Sequence, residues 1–210
     1  MAELILASAS PRRAELLRNA GISFTVQAAE MDESRRTGES PLDYACRLAV
    51  AKASAVFAKR STDFVLGADT IVTVGEGVLG KPRDAQDAIR MLKLLSGRKH
   101  LVTTGVCLMG PQVSTFKFQV PSARSEARNS KPETSFEDVR HETTEVFFNP
   151  VTEEDIRWYV QTGEPMDKAG AYAIQGGASR WVSKIVGCYF NVVGLPVPLV
   201  YSMLKERKLL

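Results

Sequence analysis

The chain has 210 residues, of which 44% are hydrophobic and 24% charged, values near those of soluble globular proteins. This length fits one large domain or two small lobes and buries a substantial core, so a wholly disordered chain is excluded. The net charge of +3 at pH 7 is too small to indicate nucleic acid or a membrane surface on its own. Any strongly basic function must therefore be local.

Cysteine, histidine and hydropathy patterns exclude further classes. Three widely spaced cysteines without a CxxC pair predict neither a disulfide framework nor a zinc site. His100 and His141 lack a recognisable local motif, which argues against a histidine metal cluster or a Ser-His-Asp triad. No segment approaches the ~20 apolar residues of a membrane span, and the short apolar run at the N-terminus does not resemble a signal peptide. We therefore expect a cytoplasmic protein without a membrane partner.

The first half of the chain alternates strand and helix signals. Pro11 and Pro41 each follow a serine, as at a helix start, and Asp43 stands in the capping-box position. In chain order, the pattern predicts a strand at 4–7, a helix from Pro11 to Gly21, a strand at 22–29, a helix from Pro41 to about Lys59, and a strand at 63–74 that turns at 75–77 into a hairpin. The apolar face predicted for the second helix contains Leu42, Cys46, Ala49, Ala53 and Phe57.

The second half is interrupted by a polar segment at 110–138 without an apolar period, which we interpret as a surface loop or disordered insertion. Around it, the pattern predicts a helix from Asp84 to Leu95, strands at 99–109 and 143–148, a helix from Thr152 to Gly163, two further strand-like pieces and a last helix after Pro196 or Pro198. Because strands and helices mix without strict βαβ alternation, we expect an α/β fold with a partly antiparallel sheet.

Two arginines stand in the first turn of the first predicted helix. A helix N-terminus already carries about half a positive charge, so each cation there costs roughly 0.3 to 1 kcal/mol. Arg12 and Arg13 make sense if an anion binds at this helix end, where their N–H groups and guanidinium groups converge and the Ser8 and Ser10 hydroxyls add donors. The alternative is that both arginines extend into solvent from an exposed turn.

Two lysines could add to such a site. Lys81 follows the predicted hairpin in "LGKP", and Lys52 lies at an edge of the apolar face of the second helix. Lone lysines are usually solvated charges. Together with the two arginines, however, they would provide four cations for a polyphosphate, whose transfer depends mainly on positioning and charge neutralisation.

Asp69 interrupts a hydrophobic strand, where an unpaired acid is costly. It either bonds to the backbone at a bulge or holds Mg²⁺ and orients a water. In the second case Asp32 or Glu33 of "MDES" is a second source of oxygen ligands. Because a carboxylate is a weak base at neutral pH, the water would also need activation by the metal.

Seven motifs in order give the sequence a family resemblance: "LASASPRRAELL", "MDES", "RLAVAKA", "GADTIV", "LGKPRDAQDAIRMLKLLSG", "EPMDKAGAYAIQG" and "NVVGLP". The chain resembles the Maf family of nucleoside triphosphate pyrophosphatases, nearly throughout except at 110–138. The resemblance implies metal-dependent hydrolysis between the α- and β-phosphates. It also implies a single domain at 1–210 with an elongated mixed sheet and two lobes around a cleft, similar to the inosine triphosphate pyrophosphatases, and commonly a homodimer.

The same resemblance assigns roles to individual residues. It makes Asp69 the proton acceptor and Asp69 and Glu33 the ligands of a divalent metal, Mg²⁺ first and Mn²⁺ as the alternative. It places the phosphates and metal among Ser8, Arg13, Glu33, Lys52 and Lys81. In the dTTP/UTP branch, specificity is associated with the residues that are here Arg12, Thr70 and Gln175. A glutamine amide offers the donor and acceptor that the imide edge of uracil or thymine requires, whereas its alternative role is that of an ordinary loop residue.

Two other functions stay open at this point. One is a purine housekeeping enzyme of the inosine triphosphate pyrophosphatase type. The other is a non-catalytic nucleotide or nucleic-acid binder that regulates cell division. The low aromatic content of 8% argues against binding of RNA by stacking on aromatic side chains. A nucleotide kinase is disfavoured because the sequence contains no GxxxxGK[ST] loop. Arg180 and Trp181 could either contact a base or pack.

Overall fold

The computed structural model describes residues 2–112 and 135–210. Its strands are β1 (Leu4–Leu6), β2 (Thr25–Val26), β3 (Phe64–Val74), β4 (Gly77–Leu79), β5 (Lys99–Pro111), β6 (Ser135–Phe148) and β7 (Val182–Val186). Its helices are α1 (Pro11–Asn19), α2 (Pro41–Phe57), α3 (Ala85–Leu95), α4 (Glu153–Gln161), α5 (Tyr189–Val193) and α6 (Val197–Glu206), with 3₁₀ turns at Glu164–Asp167, Ala169–Ala171 and Gly177–Trp181.

The described strands form one mixed sheet. Its order is β2-β1-β3-β5-β6-β7, with β4 paired to β3 as well. The β1 strand pairs with β2 and β3 in parallel, whereas β4, β5, β6 and β7 join by antiparallel ladders. The expected α/β fold with a partly antiparallel sheet is therefore confirmed.

One edge of β3 is shared by two short partners. Residues 64–66 of β3 pair with β1, and residues 72–74 pair with β4, while β5 follows the other edge. Between these two partners, residues 67–71 have no strand on that edge in the described part of the chain. This gap in the sheet contains Asp69 and Thr70.

Helix starts follow the sequence signals closely. The side chain of the capping residue accepts a backbone N–H three residues later at the starts of α2, α3 and α4, where the caps are Ser40, Asp84 and Thr152. Such caps satisfy N–H groups that have no partner within the helix. At α1 the capping residue Ser10 makes no side-chain bond.

Helix α2 packs against β3 and β5 more closely than ordinary side chains allow. A Cβ atom added at Gly67 would lie 2.2 Å from the carbonyl oxygen of Ala49, and one at Gly105 would lie 2.6 Å from that of Ala45. The buried face of α2 is Ala45, Leu48, Ala49, Lys52, Ala53 and Val56. The predicted face is therefore wrong at Leu42 and Cys46, because α2 docks Ala45 and Ala49 against the glycines, whereas Phe57 is half-buried and packs beside the core as predicted.

The structure also corrects three predicted elements. β5 continues to Pro111 and β6 begins at Ser135, so both ends of the predicted 110–138 loop are strand, and residues 113–134 lie outside the described residues. The start of β6 alternates between exposed and half-buried residues, which explains why it shows no strong apolar period. Only Thr25–Val26 of the predicted strand at 22–29 pairs, and the second strand-like piece near the end is helix α5.

None of the described helices is both long and apolar enough to cross a bilayer.

Candidate active site

A cavity of about 430 Å³ opens at the gap in the sheet beside β3. This volume is within the range of small-molecule sites. Its lining includes all nine residues that the family resemblance assigned to the site: Ser8, Arg12, Arg13, Glu33, Lys52, Asp69, Thr70, Lys81 and Gln175. Segments from six separate parts of the chain therefore meet in one cleft.

Lys52 joins the two predicted metal ligands. Its Nζ lies 2.6 Å from Asp69 Oδ1 and 2.7 Å from Glu33 Oε1, and its side chain is 10% exposed. Asp69 and Gly67 point to the same face of β3 because side chains alternate along a strand, and this face is the one that α2 covers. The pairing settles how Asp69 is tolerated in a hydrophobic strand, since a buried charge requires a partner.

The segment that carries Glu33 is fastened to α2. The Tyr44 hydroxyl donates to the carbonyl of Glu33 at 2.6 Å, and Arg47 donates to the carbonyl of Ser34 at 3.0 Å. Burial alone would raise the pKa of the Glu33 carboxyl, but the hydrogen bond and charge of Lys52, with the charges of Lys81 and Arg13, lower it below its usual value. Glu33 is therefore held as a carboxylate.

Asp32 does not share this arrangement with its neighbour. Its Oδ1 accepts the backbone N–H of Ser34 at 2.8 Å and the Ser34 hydroxyl at 2.5 Å. Asp32 does not line the cavity, whereas Glu33 does. Of the two candidate acids in "MDES", the geometry selects Glu33.

Arg13 is buried, with only 8% of its surface exposed. Its Nε donates to the Gly194 carbonyl at 2.8 Å, Nη1 to Ser8 Oγ at 3.0 Å and Nη2 to Thr70 Oγ1 at 3.0 Å. Burial lowers the pKa of Arg13, and the charge of Asp69 opposes this shift. The alternative in which both arginines extend into solvent is therefore wrong for Arg13.

Sequence reasoning missed the polar network behind Arg13. The Thr70 hydroxyl lies 2.9 Å from that of Thr104, and Thr104 donates to the carbonyl of Asn191 at 3.4 Å. Asn191 is fully buried and its Nδ2 donates to the Val102 carbonyl at 2.9 Å. The motif "NVVGLP" marks this region in the sequence, but nothing local to it shows that its backbone carbonyls turn toward the first helix.

The remaining cations lie at the rim of the cleft. Arg12 is partly exposed, and its Nη1 is 3.4 Å from Asp167 Oδ2. Lys81, exposed after β4, is near enough for its charge to act on Glu33. The four cations expected from the sequence therefore converge on this cleft, although Arg13 already donates to protein groups.

Gln175 is exposed and lines the cleft. Arg180 and Trp181, which the sequence left open, do not line the cavity. The Arg180 guanidinium stacks 4.1 Å from the centre of the Trp158 ring, and Trp181 is buried with its ring 5.2 Å from that of Tyr159. Both residues pack rather than face a ligand.

The described fold and cleft define an α/β protein that brings two carboxylates and several cations together at a break in a mixed sheet. A family profile described as Maf-like protein matches residues 3–207, and the chain belongs to this family. The resemblance noted in the sequence is thereby confirmed.

Curated relatives match over almost the whole chain. A protein named dTTP/UTP pyrophosphatase from Koribacter versatilis is 51% identical over 207 residues, which cover 99% of this chain and 95% of the relative. Another of the same name from Symbiobacterium thermophilum is 48% identical and covers 98% and 94%. Among solved structures, the Staphylococcus aureus Ham1 protein aligns over 98% of this chain and 99% of its own, with 14% identity and a TM-score of 0.49.

Proposed function

We propose that this chain hydrolyses dTTP and UTP to the monophosphate and pyrophosphate. The arrangement of Asp69 and Glu33 about Lys52, in a cleft rimmed by further cations, is the observation that carries the proposal. The names of relatives that are 51% and 48% identical support the substrate class. A triphosphate is the ligand that needs both several cations and an acid able to act on water.

Phosphate binding belongs to the start of α1. Ser8 Oγ accepts two hydrogen bonds, from the N–H of Ser10 at 3.2 Å and from Arg13 at 3.0 Å. A hydroxyl has two acceptor sites and one proton, so the Ser8 proton is what remains to donate to a phosphate oxygen. Because the Ser10 side chain does not cap α1, the first-turn N–H groups of Arg12 and Arg13 can donate as well.

The donor set of the cleft fits a hard divalent cation. Lys52 contacts one oxygen of each carboxylate, which leaves Glu33 Oε2 and Asp69 Oδ2 as ligands. Within residues 2–112 and 135–210, no three or more His, Cys, Asp or Glu side chains are placed together so that they could hold a metal ion without other ligands. Mg²⁺ usually binds through one or two carboxylates plus substrate phosphates and water, and Mn²⁺ accepts the same oxygens. When bound, such a cation neutralises phosphate charge and makes water more acidic.

The side chains of the cleft have different roles in the proposed hydrolysis. Asp69 accepts the proton of the water that attacks the α-phosphorus, and Lys52 holds the carboxylate in place for that transfer. The bond from the α-phosphorus to the bridging oxygen breaks, and pyrophosphate leaves with that oxygen. Lys52, Lys81 and Arg13 offset the charge that develops on the leaving group.

Base recognition is assigned to Gln175 and Arg12, which also line the cleft. The Gln175 amide can accept from the N3–H of uracil or thymine and donate to the neighbouring carbonyl. Arg12 flanks the same space, whereas the Thr70 hydroxyl acts through Arg13, to which it is hydrogen-bonded. This division explains how one cleft binds the phosphates and reads the base.

The direct test measures pyrophosphate release from dTTP, UTP, dITP and 7-methyl-GTP with Mg²⁺ or Mn²⁺. We expect turnover of dTTP and UTP, and hydrolysis in ¹⁸O-labelled water should place the label in the monophosphate. No turnover of any of the four would overturn the proposal. A preference for dITP would instead identify a purine housekeeping enzyme, and label in pyrophosphate would refute attack at the α-phosphorus.

Cytoplasmic location and assembly into a homodimer are also proposals, and they rest on the family resemblance and the composition. Fractionation of cells should recover the protein in the cytosolic fraction. Light scattering at micromolar concentration should give twice the chain mass of 23.0 kDa. A monomer mass at all concentrations would contradict the proposed dimer without affecting the proposed reaction.

A further inference from the structure

The turn that carries Gln175 is fastened at both ends by the same two side chains. The backbone N–H of Ala173 donates to the Tyr159 hydroxyl oxygen at 3.1 Å, and that of Gly177 donates to Glu164 Oε2 at 3.1 Å. The Tyr159 hydroxyl in turn donates to Glu164 Oε1 at 2.7 Å. Tyr159 and Glu164 thus link the two ends of the 173–177 turn.

Within the turn, the Ala173 carbonyl accepts the N–H of Gly176 at 3.1 Å, which makes Gln175 the third residue of a four-residue turn. Ile174 is buried, while Gln175 is exposed and lines the cleft. The backbone is therefore fixed on the protein side, and the glutamine side chain projects from it into the cleft.

Tyr159 and Glu164 also fill the space behind the 173–177 turn. A Cβ atom at Gly176 would lie 1.8 Å from Glu164 Oε1, and one at Gly177 would lie 3.1 Å from the Tyr159 ring. The turn can pack against Glu164 only because both positions lack a side chain. Any shift of the carboxylate would therefore move the turn.

The support behind the turn is itself packed and hydrogen-bonded. Tyr159 is fully buried in α4, and its ring packs against Trp181 at a centroid distance of 5.2 Å. Burial first, and then the hydrogen bond to Glu164, raise the pKa of the Tyr159 phenol, so it stays a donor across the neutral range. Lys168 Nζ also donates to the backbone carbonyl of Glu164 at 3.1 Å. Hydrogen bonds to a carboxylate are stronger than those between neutral groups.

We propose that Glu164 and Tyr159 are positioning residues for recognition of the pyrimidine base. They hold the 173–177 turn so that the Gln175 amide meets the imide edge of uracil or thymine, and they act only through Gln175. The inference rests on the proposed hydrolysis of dTTP and UTP. Reading of a base by hydrogen bonds tolerates errors of only a few tenths of an ångström, so a supporting frame of this kind determines affinity.

The test compares Tyr159→Phe, Glu164→Ala and Gln175→Ala for UTP hydrolysis, with inorganic tripolyphosphate as a competitive inhibitor that lacks a base. Each variant should raise KM for UTP about fivefold, which corresponds to the loss of one hydrogen bond. The kcat of each variant should stay within about twofold of the wild-type value. The Ki of tripolyphosphate should stay unchanged, because the residues proposed to bind phosphate lie at the start of α1, on α2 and after β4, outside the 173–177 turn. Tyr201→Phe, which removes an exposed hydroxyl on α6, is the matched control and should leave both constants unchanged.

Two further measurements separate positioning from a general role in stability. In the double variant Tyr159→Phe/Gln175→Ala, KM should rise no further than in Gln175→Ala alone, because residues that act through one another are not additive. Hydrogen exchange at the N–H groups of Ala173 and Gly177 should accelerate in Tyr159→Phe. Glu164→Gln, whose amide keeps one acceptor, should restore part of the loss seen in Glu164→Ala.

Four results would overturn the inference. The first is an unchanged KM for UTP in both Tyr159→Phe and Glu164→Ala, and the second is an unchanged KM in Gln175→Ala. The third is an increase in KM in the double variant that equals the product of the two single increases. The fourth is a Ki for tripolyphosphate that rises in parallel with KM. If the wild-type protein hydrolyses UTP while any of these is found, only the inference fails. If the wild-type protein hydrolyses neither UTP nor dTTP, the proposed function fails and the inference falls with it.

Discussion

Lys52 is the residue on which the geometry of the cleft depends. A buried ammonium is expensive unless it is paired, and here two carboxylates, from a loop and from a strand, meet it at 2.7 and 2.6 Å. Removal of one partner would leave the other charges poorly compensated. The ion pair between Lys52 and Asp69 therefore serves two purposes, since it makes a charged strand residue tolerable and fixes the direction of its carboxylate.

Asp69→Asn tests the assignment of the proton acceptor. The amide keeps the shape of the side chain but cannot take a proton from water, so we expect kcat for UTP to fall by about 10² or more. Nucleotide binding, measured by calorimetry, should change little. Asp63→Asn is the control. Asp63 is a buried carboxylate just before the same strand, and it forms an ion pair with Arg60 away from the cleft. Near-normal turnover in Asp69→Asn would mean that the base lies elsewhere.

His100 should make the stability of the protein depend on pH. It is buried, with Nε2 2.8 Å from the Tyr172 hydroxyl, and burial lowers its pKa from 6.5 to about 4. Between these values the unfolded chain binds a proton that the folded chain does not. The stability contributed by the neutral ring is therefore complete above pH 6.5 and is lost as the pH falls toward 4, by roughly 3 kcal/mol in total.

Urea unfolding at pH 7 and pH 4.5 measures this effect. His100→Gln keeps a hydrogen-bonding partner for Tyr172 and cannot titrate, so its free energy of unfolding should fall less between the two pH values than that of the wild type. His141→Gln, at the exposed histidine on β6, should behave as the wild type does. The same pH dependence in His100→Gln and wild type would contradict the assignment.

Strand β3 and helix α2 together form the wall of the cleft that contains Asp69 and Lys52. β3 is paired at residues 64–66 by β1 and at 72–74 by β4, and the interval between them opens into the cleft. α2 covers one face of β3 and inserts Lys52 toward Asp69. This close approach is allowed by Gly67 and Gly105, whose missing side chains admit the backbone of α2.

Gly67→Ala should disrupt that contact. The added methyl group would lie 2.2 Å from the Ala49 carbonyl oxygen and 2.9 Å from the Ala53 nitrogen, and neither backbone atom can move without shifting α2. Overpacking of this kind costs about 3 kcal/mol, which corresponds to a decrease in Tm of about 6 to 12 °C for a chain of this size. Gly80→Ala is the control for thermal unfolding, since no atom lies within 4 Å of its added Cβ. Equal melting temperatures of the two variants would refute the close-packing explanation.

Positive and negative charges are nearly balanced across the whole molecule, and the four cations Arg12, Arg13, Lys52 and Lys81 line one cleft. A net charge of +3 gives little attraction for a long polyanion, whereas a triphosphate can reach Arg12 and Lys81 at the rim. The distribution of charge thus favours a small ligand over a nucleic acid.

Binding of a fluorescent single-stranded oligonucleotide at several salt concentrations tests this distinction. We expect no measurable binding at 0.15 M salt and a shallow dependence of affinity on salt below that. UTP should bind under the same conditions and is the positive control. Tight oligonucleotide binding with a steep salt slope would favour the non-catalytic regulator over the enzyme.

Local signals in the sequence determined much of this protein. Capping residues and prolines located the starts of α1, α2 and α3, the run at 63–74 gave β3, and the ordered motifs identified the family and predicted nine residues that line one cleft. These features depend on chemistry within a few residues of the chain, so they can be read without a fold. The predicted boundaries failed where the pattern was weak, as at the start of β6 and in α5.

Only the tertiary structure decided what each charged residue contacts. Nothing near Arg13 in the sequence shows that its guanidinium is buried against the Gly194 carbonyl, 181 residues away. Without the family resemblance, the residues likewise leave Asp32 and Glu33 as alternatives, and nothing near Gln175 reveals that Tyr159 and Glu164 hydrogen-bond to the two ends of its turn. Hydrogen bonds and ion pairs depend on distances that strand pairing and helix docking set across the whole chain, whereas the local pattern specifies only which residues are available to make them.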